Sequence, residues 1–393
     1  MTVKRGREFL HTPGPTNVPD RILRAMLRAA VDPTGPEFGA LAMECFEGLK
    51  PIFKTEGRIF IYAAVGHGAW EAALANTLAP GERVLVPENG NFSLNWGRMA
   101  EALGIVPEFL PGDWRRAIDP GAVEARLAAD RRGEIKAVLL VHTDTATGIT
   151  SDVARLRRAI DNARHPALFM VDTIASLGTT DFRMDEWQVD VAVGAAQKGL
   201  MMPPGLSFTA ASQKALHAAQ NGGAPRRYWD WRERMSDNQY LWFGGTAPEH
   251  LIFALREAID MVMEEGLDAA FARHRRLAGA VRRAVATWGE GGAIEFNAVV
   301  EDERADSVTT ILVPEEFDGE EVRATCRERF HLALGGGLGK LHGRAFRIGH
   351  MGDLNEPMVL GALAGVEAAL KVLGIPYREG GVTAAIDALV SDL

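Results

Sequence analysis

The amino-acid sequence predicts an α/β protein with a large domain around a mostly parallel sheet and a smaller C-terminal α+β domain. Through most of the chain, apolar runs of strand length alternate with segments of helical period, as a parallel sheet covered by helices requires. Single cores stop growing at about 250–300 residues, so a chain of 393 residues is expected to divide. From about residue 266 the composition changes to Arg- and Ala-rich helical segments with few strands.

Seven runs are candidates for the strands of the large sheet. They are apolar, and polar or Gly- and Pro-containing segments separate them. The candidate strands are 58–64, 83–88, 105–110, 137–143, 167–173, 189–195 and 206–212. An open α/β sheet binds its ligand at the C-terminal ends of its strands, so the residues that follow these runs are candidates for a site.

Helical segments lie between these strands. The segment GAWEAALANTL has an alanine-rich face, and SDVARLRRAIDNAR begins with Ser151 and Asp152, which both suit an N-terminal cap. A long helix is predicted near 248–264.

The segment after this helix predicts the small domain. Strands are predicted there at 308–314 and 345–351, between helical segments. We therefore expect an N-terminal arm at 1–20, a large domain at 21–265 and a small C-terminal domain at 266–393.

Composition and charge limit the function classes. The net charge of −9 argues against nonspecific nucleic-acid binding, which needs clustered Lys and Arg. Cys45 and Cys326 imply no disulfide framework and favour a reducing cytosol. The N-terminus has no apolar stretch typical of a secretory signal, and no apolar run reaches the roughly 18 residues of a membrane span. We expect a soluble, cytoplasmic protein that acts on small molecules, without a membrane partner or a metal site.

Lys198 and Asp172 are the most informative residues. Lys198 follows the buried-looking run VDVAVGAA and precedes Gly199 and a Pro-Pro-Gly turn, so it is expected at a strand end that faces a cleft. Asp172 ends another apolar run. Pyridoxal phosphate chemistry needs an amine that holds the aldehyde of the cofactor and a carboxylate that keeps its pyridine nitrogen protonated. The two residues match these needs, although in isolation most such residues are solvated surface charges.

Seven segments, in order, resemble the class V aminotransferases of the serine–glyoxylate and alanine–glyoxylate type. This resemblance covers nearly the whole chain and implies fold type I of the pyridoxal-phosphate enzymes. The matching segments are TPGPTNVP, GHGAWEAALANTLAPGERVLV, HTDTATGI, FMVDTIASLG, GAAQKGLMMPPGL, ALREA and FRIGHMGDLNE.

The resemblance implies the residues that hold pyridoxal 5′-phosphate. Gly66, His67 and Gly68 begin a helix after a strand, a geometry that favours a phosphate. From the residues alone they remain a tight turn, with His67 a structural histidine. Phe92 matches an aromatic ring against the pyridine, and Thr145 a hydroxyl near its phenolic oxygen, although Thr145 also suits a strand-end turn. The implied set is completed by Asp172, Ile174, Gln197, Lys198, Gly245 and Thr246.

The resemblance also implies a substrate anchor and a dimer. Arg347, in FRIGHMG, matches the arginine that binds the α-carboxylate of the substrate through a bidentate fork. Gly14 and the triple glycine 335–337 are expected at the same mouth, although three glycines also suit a flexible loop. Thr246 matches a phosphate ligand that the partner subunit donates, so the resemblance implies a homodimer with shared active sites.

Two positions depart from the family pattern. Phe243 stands where relatives often have a tyrosine hydroxyl near the phosphate, and Val65 stands where a serine is common. Each change is expected to remove a hydrogen bond of about 0.5–1.5 kcal/mol or to reflect a different substrate.

The expected activity is transamination by a ping-pong cycle, with Lys198 moving the proton from the substrate's Cα. No second arginine is identifiable as a side-chain clamp, so serine or alanine is favoured as donor and glyoxylate as acceptor. The alternatives are a pyridoxamine–pyruvate or aspartate–glyoxylate aminotransferase, a lyase, a cysteine desulfurase and a non-catalytic scaffold. Cys45 and Cys326 both lie in helical segments, which does not suit a desulfurase.

Overall fold

The computed structural model describes residues 6–292 and 294–391. The first five residues of the predicted N-terminal arm, and the last two of the predicted small domain, lie outside the described residues.

The strands form two large sheets and one short ribbon. The strands are β1 (Phe9–His11), β2 (Arg58–Tyr62), β3 (Arg83–Pro87), β4 (Val106–Leu110), β5 (Ile135–Val141), β6 (Thr143–Asp144), β7 (Ile149–Thr150), β8 (Leu168–Asp172), β9 (Val191–Ala195), β10 (Ser207–Ala211), β11 (Glu295–Phe296), β12 (Val308–Leu312), β13 (Leu332–Gly336) and β14 (Ala345–Gly349). All seven strands predicted for the large sheet are confirmed to within two residues at either end.

The helices cover both faces of the first sheet and one side of the second. They are α1 (Asp20–Met26), α2 (Pro36–Phe53), α3 (Gly66–Thr77), α4 (Asn91–Ala102), α5 (Pro120–Ala129), α6 (Val153–Asn162), α7 (Gln213–Asn221), α8 (Trp231–Arg234), α9 (Glu249–Glu265), α10 (Leu267–Gly289), α11 (Gly319–Phe330), α12 (Glu356–Leu373) and α13 (Gly381–Ser391). Of the two capping candidates at α6, the side chain of Asp152 accepts the Arg155 N–H at 2.8 Å, whereas Ser151 accepts from Ile118.

The first sheet has seven strands in the order β2-β10-β9-β8-β5-β3-β4. The pairs among β9, β8, β5, β3 and β4 are parallel, and β10 runs antiparallel to both of its neighbours. The prediction of a mostly parallel sheet is confirmed. Because β8 and β9 are parallel, their C-terminal ends lie side by side. Asp172 is the last residue of β8, and Lys198 follows β9.

Alternation along the strands produces two apolar cores, one on each face of this sheet. On β5, Val138 and Leu140 pack into one cluster, and Leu139 and Val141 pack into the other. Because both faces are covered, the strands read as continuous apolar runs in the sequence. This burial makes the sheet a rigid support for the polar residues at its edge.

The second sheet has the order β1-β13-β14-β12-β11, and its strands come from both ends of the chain. Phe9–His11 pairs in parallel with β13, so the N-terminal segment is part of this sheet. Gly266 joins α9 to α10 with a φ of +82°, at the position predicted for the domain boundary. The domain limits themselves stay a prediction.

Within residues 6–292 and 294–391, no helix combines the length and the apolar character that a bilayer span requires. The same residues contain no group of three or more His, Cys, Asp or Glu side chains placed to hold a metal ion.

Candidate active site

Lys198 lies in the turn after β9, against the N-terminal segment. Its Nζ donates a hydrogen bond to the carbonyl of Pro13. A Cβ on Gly14 would lie 2.5 Å from that Nζ, so only glycine allows the segment to pass so closely. Burial, and then the nearby Arg347, lower the pKa of Lys198 to about 8. A larger fraction of the amine is therefore unprotonated and nucleophilic near neutral pH than for an exposed lysine.

Asp172 ends β8 and is fully buried. Its two oxygens accept hydrogen bonds from the Ile174 N–H at 2.6 Å and from the Trp70 indole N–H at 3.0 Å. Burial raises the pKa of Asp172 to about 7, and these two donors oppose that shift. A cation placed against the carboxylate would favour its ionised form, so Asp172 is suited to a partner such as a protonated ring nitrogen.

The N-terminus of α3 faces the same space. The helix begins at Gly66, and its N-cap residue, Val65, provides no side-chain cap. A Cβ on Gly66 would overlap the side chain of Ile174. The Gly68 N–H donates to the Val65 carbonyl at 2.8 Å, so Gly68 is already committed. The start of this helix thus offers N–H groups and a positive dipole end to an anion. Gly66 and His67 stay candidates for this role, whereas the N–H of Gly68, the third predicted residue, is already bonded.

Aromatic rings line the space between these groups. The ring of His67 lies 4.6 Å from that of Trp70, between centroids, and Phe92 lies 6.3 Å from Trp70 on another side. Partial burial lowers the pKa of His67, which favours the neutral imidazole at neutral pH. A flat aromatic ligand in this space would contact the faces and edges of these rings.

These groups enclose a cavity of about 300 Å³. Most of the residues predicted for the site line this cavity. They are Gly14, Gly66, His67, Phe92, Thr145, Asp172, Ile174, Gln197 and Lys198. Arg347 lines an adjoining cavity of about 490 Å³, which shares Gly14, Phe92, Thr145 and Lys198 with the first. Gly335, Gly336 and Gly337 line the second cavity, as expected of the mouth, and the first two belong to strand β13.

The residues present fit a phosphorylated aromatic aldehyde such as pyridoxal phosphate. The side-chain oxygen of Gln197 is buried without a hydrogen-bond partner, so this polar group lacks the partner that a ligand in the cavity could supply. The uncapped start of α3 suits a phosphate, the carboxylate of Asp172 suits a pyridinium, and the amine of Lys198 suits an aldehyde.

Arg347 is held at the centre of the second sheet. It is only 7% exposed, its Nε donates to the Gly336 carbonyl at 2.6 Å, and its Nη1 donates to the Thr145 carbonyl at 2.9 Å. Burial lowers the pKa of Arg347 to about 10, so the guanidinium remains charged at neutral pH. Its Nη2 makes no hydrogen bond within the described residues. The charge and this free donor are available to a carboxylate in the cavity.

Sequence reasoning missed Asp144, which supports two site residues at once. Its buried carboxylate accepts the N–H groups of Phe92 at 2.8 Å and Ala146 at 2.9 Å, and it acts electrostatically on Arg347. A Cβ on Gly90 would overlap this carboxylate, so Asp144 caps α4 where the N-cap residue has no side chain. Burial raises the pKa of Asp144 to about 6.

Trp70, Glu320 and Arg323 were also missed. Trp70 was hidden in an alanine-rich helix, and its contact with Asp172 depends on the packing of α3 on the sheet. The sequence offered no identifiable second arginine, yet the structure places Arg323 in the cavity of Arg347, paired with Glu320. The i,i+3 spacing of this pair is the only signal the sequence contains, and it is typical of solvated helix faces as well.

Some predicted residues lie elsewhere in this chain. Gly68, Gly245 and Thr246 line neither of these two cavities. Thr246 is exposed, and its expected role in a partner's site stays a prediction. Phe243 is buried in the core, with ring centroids 6.3 Å from Phe38 and 5.9 Å from Phe46.

Both cysteines are buried in helices. The Sγ of Cys45 contacts the Ile252 carbonyl, and Cys326 packs in the core of the second sheet. Burial raises the pKa of each thiol to about 12, so neither provides a ready nucleophile.

Comparisons with known proteins show what this chain is similar to in sequence and fold. A family model described as "Aminotransferase class-V" matches residues 59–339. A serine–glyoxylate aminotransferase of Methylorubrum extorquens is 44% identical over 98% of this chain and 96% of its own length. An L-aspartate–glyoxylate aminotransferase of Paracoccus denitrificans is 40% identical over 95% of this chain and 94% of its own length. The crystal structure of a pyridoxamine–pyruvate aminotransferase from Mesorhizobium loti superposes with a TM-score of 0.90 at 25% identity, and the match covers 100% of both chains.

Proposed function

The chain belongs to the class V aminotransferase family, and we propose from this premise that it transfers the amino group of serine or alanine to glyoxylate with pyridoxal 5′-phosphate as cofactor. The observation that carries the proposal is the cavity that Lys198 and Asp172 line together, beside the cavity of Arg347. An amine, a buried carboxylate and a carboxylate anchor are the three groups that amino-group transfer needs from a protein.

When bound, pyridoxal phosphate supplies an aldehyde that bonds to amines and a ring that accepts electrons. We assign its phosphate to the start of α3 and to Gln197, and its ring to Phe92 and Asp172. The buried carboxylate of Asp172, fixed by Trp70, would keep a cation beside it because no water competes for the charge. Thr145 lines the same cavity and presents a hydroxyl to the ligand.

Lys198 is assigned two tasks. Its amine would hold the aldehyde of the cofactor, and as a free base the same amine would remove the proton from the Cα of a bound amino acid. The lowered pKa of Lys198 suits both tasks, since each needs the unprotonated amine near neutral pH. Burial excludes water that would compete for the proton.

Arg347 is assigned to the α-carboxylate of donor and acceptor alike. Its two bonds to backbone carbonyls fix the plane of the guanidinium before any substrate arrives. Both half-reactions then use one anchor, which is what a ping-pong cycle needs. A small neutral donor needs no carboxylate anchor besides Arg347, and the serine–glyoxylate relative supports serine as donor and glyoxylate as acceptor.

The active unit is proposed to be a homodimer. Gly245 and Thr246 line neither of the two cavities described above, and the exposure of Thr246 supports a role outside its own chain. We assign Thr246 to the phosphate of the partner's site.

The proposal is tested by following the amino group. The purified protein is incubated with pyridoxal phosphate, ¹⁵N-labelled L-serine and glyoxylate, and the products are identified by mass spectrometry. Glycine that carries the label and unlabelled hydroxypyruvate are expected in equal amounts. Double-reciprocal plots of rate against serine concentration, at several glyoxylate concentrations, should give parallel lines. Alanine, aspartate and pyridoxamine serve as competing donors, with pyruvate as the competing acceptor. Lys198→Ala should reduce the rate by several orders of magnitude, and label transfer from none of these donors would refute the assignment.

A further inference from the structure

An ion pair shares the cavity of Arg347. Glu320 lies in the first turn of α11 and Arg323 lies three residues later, and the Nη1 of Arg323 donates to the Glu320 carboxylate. Their side chains are 32% and 34% exposed, and both line the cavity of about 490 Å³ that also contains Lys198. The pair is therefore accessible to a ligand in that cavity.

A single glycine separates this pair from Arg347. The carbonyl of Gly336 accepts the Nε of Arg347 at 2.6 Å, while a Cβ on the same residue would lie 2.7 Å from the Nη1 of Arg323. The charges of Glu320 and Arg323 both act on the pKa of Arg347, in opposite directions. A substrate whose α-carboxylate binds Arg347 thus has this pair within reach of its remaining groups.

Glu320 keeps Arg323 from acting as a free cation. The Nε of Arg323 donates to the Leu334 carbonyl at 3.0 Å and its Nη1 to Glu320, while its Nη2 makes no hydrogen bond within the described residues. The pair is neutral as a whole and offers both a donor and an acceptor. A hydroxyl can bond to either partner, whereas a second carboxylate would meet the negative charge of Glu320.

We propose that the Glu320–Arg323 pair determines the amino donor, by accepting a neutral side chain such as the hydroxymethyl group of serine and by rejecting the second carboxylate of a dicarboxylic amino acid. Glu320 accepts a hydrogen bond from the guanidinium group of Arg323, the group that such a carboxylate would need as its partner. This inference rests on the proposed aminotransferase function and assigns its substrate class. Both residues act on the substrate's side chain and not on the reacting atoms.

The inference is tested with four variants. Glu320→Gln removes the charge and frees Arg323, Arg323→Gln leaves Glu320 without its partner, and the double variant removes both charges. Glu321→Gln is the matched control, because Glu321 lies on the same helix and is exposed. For each variant, kcat/KM is measured with L-aspartate, L-serine and L-alanine as donors to glyoxylate.

A binding measurement accompanies the kinetics. The affinities for 2-methylaspartate and 2-methylserine, which lack the Cα proton, are read from the visible absorbance of the bound cofactor. Circular dichroism and thermal unfolding establish that each variant is folded, and the binding arm gives a result even where turnover is slow.

Glu320→Gln should raise the aspartate-to-serine ratio of kcat/KM by about tenfold or more, since a charge-assisted pair becomes available to the second carboxylate. The affinity for 2-methylaspartate should rise in parallel, and the double variant should lose this gain. Arg323→Gln should weaken aspartate more than serine, and Glu321→Gln should leave the ratio within about twofold of the wild type.

Two failures are distinguishable. A wild-type protein that transfers label from no donor contradicts the proposed function. A wild-type protein that transaminates, combined with a folded Glu320→Gln variant whose aspartate-to-serine ratio and 2-methylaspartate affinity match those of Glu321→Gln, overturns the role of the pair alone.

Discussion

Four buried ionisable side chains set one another's charge in this site. Burial favours the neutral form of each, and the opposite charges among them oppose that effect. The four are Asp144, Asp172, Lys198 and Arg347. Because water is excluded, a change in one is felt by the others, and single substitutions should have effects beyond the lost contact.

Arg347→Ala should raise KM for every amino acid and oxo acid substrate, because a charge-assisted pair is lost. The rise should correspond to a loss of binding free energy on the order of 2–4 kcal/mol. Arg347→Lys should restore only part of this, because a point charge cannot reproduce the planar fork. The affinity for pyridoxal phosphate, measured by quenching of tryptophan fluorescence, should barely change. Steady-state kinetics with serine, alanine and glyoxylate check the expectation, and unaltered KM values would remove Arg347 from the site.

Asp144→Asn should lower the free energy of unfolding by about 1–3 kcal/mol, because asparagine replaces one of the two oxygens that accept from Phe92, Ser93 and Ala146 with an NH2 group that cannot accept. Asp152→Asn is the control: Asp152 caps α6, and asparagine caps helices about as well as aspartate, so a change within about 0.5 kcal/mol is expected. Urea unfolding of both variants is the measurement. Equal losses would show that Asp144 is an ordinary cap.

Residues at strand ends were the ones that sequence reasoning could find. Lys198 and Asp172 follow or end apolar runs, so their position at the C-terminal ends of strands could be predicted before any packing was known. Arg347 lies in the middle of β14, and its role was expected from the family resemblance. Asp144 and Arg323 could not be found in this way. Their roles depend on which side chains lie opposite them, and a carboxylate or a guanidinium looks the same in sequence whether it faces water or a cavity.

At the scale of elements, strand β13 brings the two arginines together. Its glycines allow the backbone to pass between Arg347 and the Glu320–Arg323 pair, and a Cβ on Gly335 would lie 2.7 Å from the ring of Pro13. This strand, with β1 and β11, was not predicted. Glycine weakens the strand signal, and a strand of two or three residues has too little periodicity to be recognised. The buried strands of the first sheet could be predicted because their apolar runs are continuous.

Gly336→Ala should displace the Glu320–Arg323 pair, and because only the ends of these flexible side chains must move, it should destabilise the protein by no more than about 1 kcal/mol. Its KM for serine should rise as well. Gly279→Ala provides the control, because Gly279 lies within α10 with open space around it, and alanine there should stabilise by up to about 1 kcal/mol. Thermal unfolding and steady-state kinetics compare the two. A Gly336→Ala protein as stable and active as the control would show that β13 accommodates a Cβ at this position without displacing the pair.

At the scale of the whole molecule, the site is divided between the two sheets. The first sheet supplies Lys198 and Asp172, and the second supplies Arg347. Asn297 helps to hold the two parts of the chain together. Its side-chain amide donates hydrogen bonds to the carbonyls of Trp114 at 2.7 Å and Thr147 at 2.9 Å. The relative position of the sheets therefore sets the distance between the amine and the carboxylate anchor.

Acid should lower the free energy of unfolding through three buried histidines in or near the second sheet. Burial lowers the pKa of His11 and His274 to about 4 and that of His350 to about 3. An unfolded histidine titrates near 6.5, so between about pH 6.5 and 4 the unfolded chain binds protons that the folded chain does not, and the free energy of unfolding falls as the pH falls.

Replacing one of these histidines isolates its share. His11→Asn keeps a donor for the Gly349 carbonyl, which His11 contacts at 2.9 Å, and removes the titration. Between pH 7 and 4 the variant should lose less stability than the wild type, by on the order of 3 kcal/mol. His217→Asn, at an exposed position on α7, should follow the wild type. Urea unfolding over this pH range checks both, and identical curves for His11→Asn and wild type would contradict the account.

The measurement that tests the central claim most directly is the chemical mapping of the lysine that holds the cofactor. The protein is incubated with pyridoxal phosphate, reduced with borohydride, digested and analysed by mass spectrometry. The cavity that Lys198 and Asp172 share predicts a stable adduct on the peptide that carries Lys198, and its absence from that peptide after addition of excess L-serine before reduction. An adduct on other lysines alone, or none, would contradict the assignment of Lys198.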